Sequence, residues 1–326
     1  MVRASSVVRL YLACVAAAGS ALAVGLRAGQ IKNLVTFGDS YTDTVIVSNG
    51  GTQWPVYAAG FAHVDLFPFA RSGATCSNNL TFRPFPSLFE SQLPTYFNAT
   101  GTAPNTKPPK KGIVNPDQTL YTLWLGTNDV GSNALLTGSD QASLVDVTEC
   151  MINWVKVLFS SGARNFLFQN MIPLETVPLY SPNSYPARYW TAQRNTTEWS
   201  VFMKELVLSG NALTKLMLQA LAPTLPGAHI GIFDSHSLFA DMFAHPALYL
   251  NGTAPLNVTG AVQACVFELN ESTSDTGDCT IAKGTDRDSF LWFDELHPSE
   301  QADRIVAREI AQVIEGKKNK WTTWLS

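Results

Sequence analysis

The sequence predicts an α/β fold, a three-layer sandwich with a central parallel sheet flanked by helices and carrying long loop insertions. Three observations carry this expectation. Short β-prone runs stop abruptly at glycine or at a polar loop, helical patterns lie between them, and 46% of the 326 residues are hydrophobic, enough for a large packed core. Strands that alternate with helices pair in parallel, because each connection crosses a face of the sheet and leaves a helix there. The same composition, with 11% aromatic and only 15% charged residues, excludes a disordered chain.

In chain order, residues 1–23 read as a secretory signal peptide. Arg3 and Arg9 precede a nearly continuous apolar run from Leu10 to Val24, with Ala21-Leu22-Ala23 before the expected cut after Ala23. That run falls short of the roughly 20 residues needed to cross a bilayer, so the expectation is a secreted, extracellular protein with no membrane partner. Residues 24–326 are expected to form one domain, of which 316–326 is a loose tail. Its first strand is Leu34-Val35-Thr36-Phe37, ending at Gly38-Asp39. The stretch from Thr100 to Asp117, with Pro104, Pro108, Pro109 and Pro116, is a long loop, and Leu120 to Leu125 is a second strand that stops at Gly126. Val145, Val147, Met151, Trp154, Val155 and Leu158 recur mostly at three- and four-residue steps, as helix does. Phe166-Leu167-Phe168 and His229 to Phe233 are further strands, and Ala244 to Thr285 is a second long insertion. A last helix runs through Ala302, Ile305, Val306, Ile310, Val313 and Ile314 to Gly316.

Cysteine usage fits export. Cys14 lies in the leader, which leaves Cys76, Cys150, Cys265 and Cys279, an even number in an oxidising compartment. Four cysteines allow three pairings; the spacing favours Cys265–Cys279 as a local clamp and Cys76–Cys150 as the long-range bridge, without excluding the others. Asn79, Asn98, Asn195, Asn251, Asn257 and Asn270 each open an N-x-[ST] triplet, so surface glycosylation is expected. The net charge is −4, and Lys and Arg do not cluster before Lys317-Lys318-Asn319-Lys320, which argues against nucleic acid as a partner.

The chemistry-bearing segments sit where the strands end, the place where α/β sheets bind ligands. Ser40, directly after Gly38-Asp39, is placed on a strand-to-helix turn; such a serine is either a nucleophile or an ordinary helix cap. The G-x-S-x-G elbow is absent, since Tyr41-Thr42-Asp43 follows. A serine nucleophile needs a base, and the choice is confined to His63, His229, His236, His245 and His297. His297 stands out because Asp294 precedes it by three residues, a spacing that lets a carboxylate grip one imidazole nitrogen while the other faces Ser40. Asp234-Ser235-His236 is the competitor, but at two residues' separation the side chains diverge, and His236 reads as structural. Asn128, in Gly126-Thr127-Asn128-Asp129, offers an amide at a strand end, and Gly73 offers an unobstructed N–H; each alone is equally at home in a turn. Trp54 and Trp292 flank these segments and are expected to stack on substrate, whereas Trp124 and Trp154 are expected in the core.

Taken together, these segments resemble the GDSL-type or SGNH hydrolases. Phe37-Gly38-Asp39-Ser40 is similar to the first family block, Gly73 to the second, Gly126-Thr127-Asn128-Asp129 to the third and Asp294-Glu295-Leu296-His297-Pro298 to the last, in the family order across residues 33–315. Gln53-Trp54-Pro55, Gly73-Ala74-Thr75-Cys76-Ser77-Asn78 and Trp292-Phe293 most resemble fungal acetylesterases of carbohydrate esterase family 16. Val45 departs from the usual glycine and Pro68 from a frequent Asn. The resemblance implies a flavodoxin-like sandwich, a Ser40–His297–Asp294 triad, and an oxyanion hole of the Ser40 and Gly73 N–H groups with Asn128. It implies acetylated hemicellulose-derived oligosaccharides as substrate; acyl transfer through such a triad requires no metal or cofactor, and a monomer is expected. Two rival readings are a lipase or phospholipase of the same superfamily, favoured by Phe69, Phe82, Phe85 and Phe89 between Phe67 and Phe97, and a non-catalytic carbohydrate-binding protein.

Overall fold

The computed structural model describes residues 25–105 and 114–326. The expected signal peptide and the Pro108-Pro109 part of the first long loop lie outside the described residues. Among the described residues, five strands of the main sheet are parallel: β1 (Asn33–Gly38), β2 (Asp65–Pro68), β3 (Thr119–Trp124), β4 (Asn165–Gln169) and β5 (His229–Phe233). All residues of β1, β3 and β4 are buried, which is why these segments read as nearly continuous apolar runs.

Among the described residues seven α-helices accompany the strands: α1 (Trp54–Ala62), α2 (Leu93–Thr100), α3 (Thr127–Val130), α4 (Leu144–Ser160), α5 (Thr196–Leu221), α6 (Ser235–Ala244) and α7 (Glu300–Ile314). Side chains alternate across the sheet and build two cores. Leu34, Leu120, Trp124 and Leu167 meet α1, α6 and α7 on one face; Val35, Phe37, Tyr121, Leu123, Phe166 and Phe168 meet α2 and α4 on the other. Helix α5 serves both, with Met203, Leu206 and Val207 in the first core and Leu218 and Leu221 in the second. The three-layer sandwich is therefore as the sequence predicts.

The sheet order is β2-β1-β3-β4-β5, closed at the far edge by one more strand. The order reverses between β1 and β3, so the crevice beyond their carboxyl ends is the topological switch point of the fold. Ser40 leaves β1 there and Asn128 leaves β3 there.

The second insertion carries its own small strands, β6 (Asn257–Ala261), β7 (Gln263–Val266) and β8 (Asp278–Ile281), and β9 (Phe290–Trp292), just after it, pairs with β6. β7 and β8 form an antiparallel ladder bridged by Cys265–Cys279, while Cys76–Cys150 ties the loop after Gly73 to α4. This is the pairing that the spacing favours. The loose tail expected for 316–326 is corrected. Thr322–Trp324 is strand β10, antiparallel to β5, so the sheet is mixed rather than wholly parallel. Trp321 and Trp324 pack against the core, which supplies the apolar contact that keeps the segment from fraying.

Candidate active site

Ser40 does not open a helix, contrary to the sequence expectation. After β1 the chain makes a tight turn in which the Thr42 and Asp43 N–H groups donate to the Asp39 carbonyl, and helix begins only at Trp54. The turn is cramped at its start. A Cβ on Gly38, whose φ is +148°, would lie 2.3 Å from the Trp124 carbonyl oxygen, so only glycine lets β1 exit so close to β3.

His297 and Asp294 lie on an irregular loop between β9 and α7. The Asp294 carboxylate organises that loop: Oδ1 accepts from the Leu296 N–H at 2.9 Å and the His297 N–H at 2.8 Å. The same carboxylate meets His297 Nδ1 at 2.9 and 3.0 Å, and His297 Nε2 stands 2.9 Å from Ser40 Oγ. Ser40 and the Asp294–His297 pair, 257 residues apart between Ser40 and His297, are thus joined in one hydrogen-bonded relay, and each of the three residues is at most 7% exposed. Burial alone would raise the Asp294 carboxyl, but the His297 charge and the hydrogen bonds from His297, Tyr189 and Leu296 outweigh it and hold the carboxyl below its ordinary range.

The second and third segments converge on the same point. Asp43 Oδ2 accepts from the Ser72 N–H at 2.7 Å, which fixes the loop bearing Gly73 against the Ser40 turn. Asp129 accepts from the Cys76 N–H at 3.0 Å and from Thr81 Oγ1 at 2.8 Å, anchoring the far side of that loop. Gly73 has φ +78°, and a Cβ there would lie 2.5 Å from the Phe85 ring. Asn128 sits in the first turn of α3. Arg83 Nη1 donates to Asn128 Oδ1 at 2.7 Å, which sets the amide's orientation; Nδ2 then donates to the Ala74 carbonyl at 3.0 Å and keeps its second hydrogen for the cavity.

Two carboxyls lie buried behind these loops. Burial pushes Asp39 up to about 7, against the opposing Tyr41 N–H and His297 charge, and pushes Asp129 up to about 6, against the Cys76 N–H and Thr81. Ser40, Gly73, Asn128 and His297 open into a cavity of about 740 Å³. Its wall includes Ile46, Phe82, Phe85, Tyr189 and Trp190, with Ile46 63% and Phe82 64% exposed. Among the described residues, no group of three or more His, Cys, Asp or Glu is arranged to hold a metal ion.

This arrangement suits acyl transfer from an ester: a hydroxyl paired to an imidazole, an imidazole paired to a carboxylate, and a side-chain amide lining the same cavity. Residues 34–310 match the sequence profile of the GDSL-like Lipase/Acylhydrolase family. The chain belongs to that family. As a GDSL-type protein it is a carboxylic ester hydrolase, and it is similar to an acetylesterase of Hypocrea jecorina, with 28% identity covering 90% of this chain and 92% of the relative. An acetylesterase of Thermothelomyces thermophilus is 23% identical over 94% of this chain and 96% of its own. Among solved structures, an acetylxylan esterase from Geobacillus stearothermophilus aligns over 91% of this chain and all of that one, with 13% identity and a TM-score of 0.47.

Two expected substrate contacts are corrected. Trp54 and Trp292 are 0% exposed. Trp54 donates to Thr42 Oγ1 and packs on Trp124, while Trp292 donates to the Val258 carbonyl and stacks on Phe239. Flanking a catalytic motif placed them beneath the site rather than in it. The competitor pair also separates: Asp234 caps α6 through the Ser237 N–H and hydroxyl, while His236 Nε2 finds no partner among the described residues. His63 occupies a left-handed position at the end of α1, and His245 pairs with Asp241 away from the cavity.

Sequence reasoning missed Tyr189 and Arg83. Tyr189 OH donates to Asp294 Oδ2 at 2.7 Å and lies 3.2 Å from His297 Nδ1. Burial and the adjacent Asp294 push its phenol well above 10, so it stays a donor. Neither residue belongs to a recognisable motif; the only hint is an aromatic cluster, Tyr185, Tyr189 and Trp190, in an otherwise polar loop.

Proposed function

We propose that this protein is a secreted serine esterase that removes acetyl groups from acetylated hemicellulose-derived oligosaccharides. The observation that carries the reading is the Ser40 Oγ–His297 Nε2 contact of 2.9 Å, continued to Asp294, at the edge of a cavity far larger than an acetyl group. The acetylesterase relatives support the acyl group. The apolar run at residues 10–24 and the two disulfides support export, and the exposed Asn79, Asn98, Asn195, Asn251 and Asn270 are the proposed glycan carriers, with the half-buried Asn257 beside them.

In the proposed reaction His297 Nε2 takes the Ser40 proton as Oγ bonds to the acetyl carbonyl carbon. The oxyanion accepts hydrogen bonds from the Ser40 and Gly73 N–H groups and Asn128 Nδ2, and Asp294 stabilises the imidazolium. His297 then protonates the departing sugar oxygen, which breaks the ester bond and leaves acetyl-Ser40. Water, deprotonated by the same imidazole, attacks the acyl-enzyme; acetate leaves and Ser40 regains its proton from His297. The chain's own groups supply every proton transfer in this sequence.

The exposed apolar side chains Ile46, Phe82 and Phe85 around the cavity favour a second reading, an esterase or lipase for longer acyl chains. Acetate release from acetylated xylo-oligosaccharides, compared with hydrolysis of long-chain acyl esters, separates the two: preference for the long chains overturns the acetylesterase reading. Ser40→Ala is expected to abolish acetate release, and activity equal to the parent would remove Ser40 as nucleophile.

A further inference from the structure

We propose that Arg188 gives this site a subsite for an anionic substituent on the alcohol side of the ester, namely the carboxylate of a uronosyl unit on the acetylated oligosaccharide. The proposal rests on the acetyl-sugar reading above and narrows its substrate class.

The cavity wall carries two guanidinium groups, Arg83 and Arg188, and no Asp or Glu, in a chain whose net charge is −4. The two arginines differ in commitment. Arg83 is spent within the protein, donating to Asn128 Oδ1 at 2.7 Å and to the Ser132 carbonyl at 2.5 Å. Arg188 is exposed, and among the described residues it makes no hydrogen bond or ion pair. The acids nearby are engaged elsewhere. Asp294 is buried and turned to His297 and Tyr189, and Glu271, two residues before the wall residue Thr273, accepts the Glu268 N–H at 2.6 Å.

The backbone under Arg188 is held. Ala187 and Trp190 exchange hydrogen bonds of 3.0 and 2.8 Å, closing a tight turn with Arg188 and Tyr189 at its tip. Tyr189 is pinned to Asp294, so the guanidinium stem starts from a fixed point one residue from a hydrogen-bond partner of the relay. A planar guanidinium without an internal partner, on an anchored turn facing an acid-free cavity, matches a carboxylate in a two-point hydrogen-bonded pair. A neutral sugar hydroxyl can accept from the guanidinium but brings no countercharge to it. An overall acidic surface repels anionic ligands, which makes a local cationic wall the feature that admits one.

The test uses the full-length protein and two acetylated xylo-oligosaccharides of equal length, one bearing a single glucuronosyl branch. At low ionic strength the parent is expected to show about 3- to 10-fold higher kcat/KM for the branched substrate, the range of an exposed to partly desolvated guanidinium–carboxylate pair. Added salt is expected to shrink this ratio. Arg188→Ala should take it to about one, and Arg188→Lys should keep part of it. A ratio of one in the parent, or an Arg188→Ala loss equal for both substrates, overturns the subsite while leaving the acetyl-sugar reading in place. Hydrolysis of an aryl acetate without acetate release from either oligosaccharide overturns both.

Discussion

The Tyr189 hydroxyl donates to Asp294 Oδ2 at 2.7 Å, on the carboxylate that also grips His297. This phenol is one of the groups holding the Asp294 carboxyl below its usual range. Tyr189→Phe deletes that donor and leaves the ring packing on His297 intact. A hydrogen bond to a charged group contributes about 1.5–3 kcal/mol, so kcat/KM is expected to fall by roughly 10- to 100-fold. Because Asp294 becomes easier to protonate, the acidic limb of the pH–rate profile should move to higher pH. A purely structural role would lower the rate without moving that limb.

Arg83 and Asn128 form a second unit. Asn128→Ala removes one proposed oxyanion donor and is expected to cut kcat by about 10²–10³ with KM little changed. Arg83→Met leaves the amide in place but frees its orientation, so a smaller fall is expected, and the double variant should lose little more than Asn128→Ala alone. Steady-state kinetics of the two single variants and the pair decide this; simple additivity would show that Arg83 does not act through Asn128.

The buried carboxyls make stability depend on pH in a direction that can be worked out. Asp39 is raised from 3.8 to about 7 and Asp129 from 3.8 to about 6. Between those values and 3.8 the folded chain binds protons that the unfolded chain has released, so folding stability rises as pH falls through this window and declines toward neutrality. Asp294 is shifted the other way, and its contribution is lost only as pH falls below the ordinary carboxyl range. The thermal midpoint is therefore expected to be higher near pH 5 than near pH 7.5. Asp39→Asn should flatten that slope, and an unchanged slope would remove Asp39 as its source.

The last strand is expected to stabilise the sheet. Trp324 pairs with Gly231 and lies so close over Gly25 that a Cβ there would meet its indole nitrogen at 2.5 Å. Trp324→Ala removes this partly buried ring and should cost about 2 kcal/mol, less than a fully buried tryptophan. Chemical denaturation measures it; an unchanged midpoint would restore the view of a dispensable tail.

The strands β1, β3, β4 and β5, the helices α4 and α7, and the Ser40, Asp294 and His297 segments were legible because each follows from short-range pattern: apolar period, glycine stops, a three-residue Asp–His spacing. β2 was not, since its four residues end in a proline and only the neighbouring β1 makes them a strand. Helix α5 follows a three- and four-residue apolar rhythm through Met203, Leu206, Val207, Gly210 and Thr214, but its polar N-terminal stretch hid it. Trp54 and Trp292 misled because adjacency in sequence to a catalytic loop does not give direction, and the core claims large rings first. Tyr189 and Arg83 reach their partners across separations of 105 and 45 residues, which only tertiary packing sets.

Strand β10 has a further consequence for how copies of the chain meet at high concentration. An open sheet exposes unpaired backbone groups along its edges, and those rows template edge-to-edge aggregation. Here β10 occupies the β5 edge with only three residues. The opposite edge, β2, is four residues long, opens with exposed Asp65 and closes with Pro68, which has no N–H to donate. The parallel ladder between them is long and strongly apolar, yet neither rim presents a run of backbone on which a second molecule could extend it.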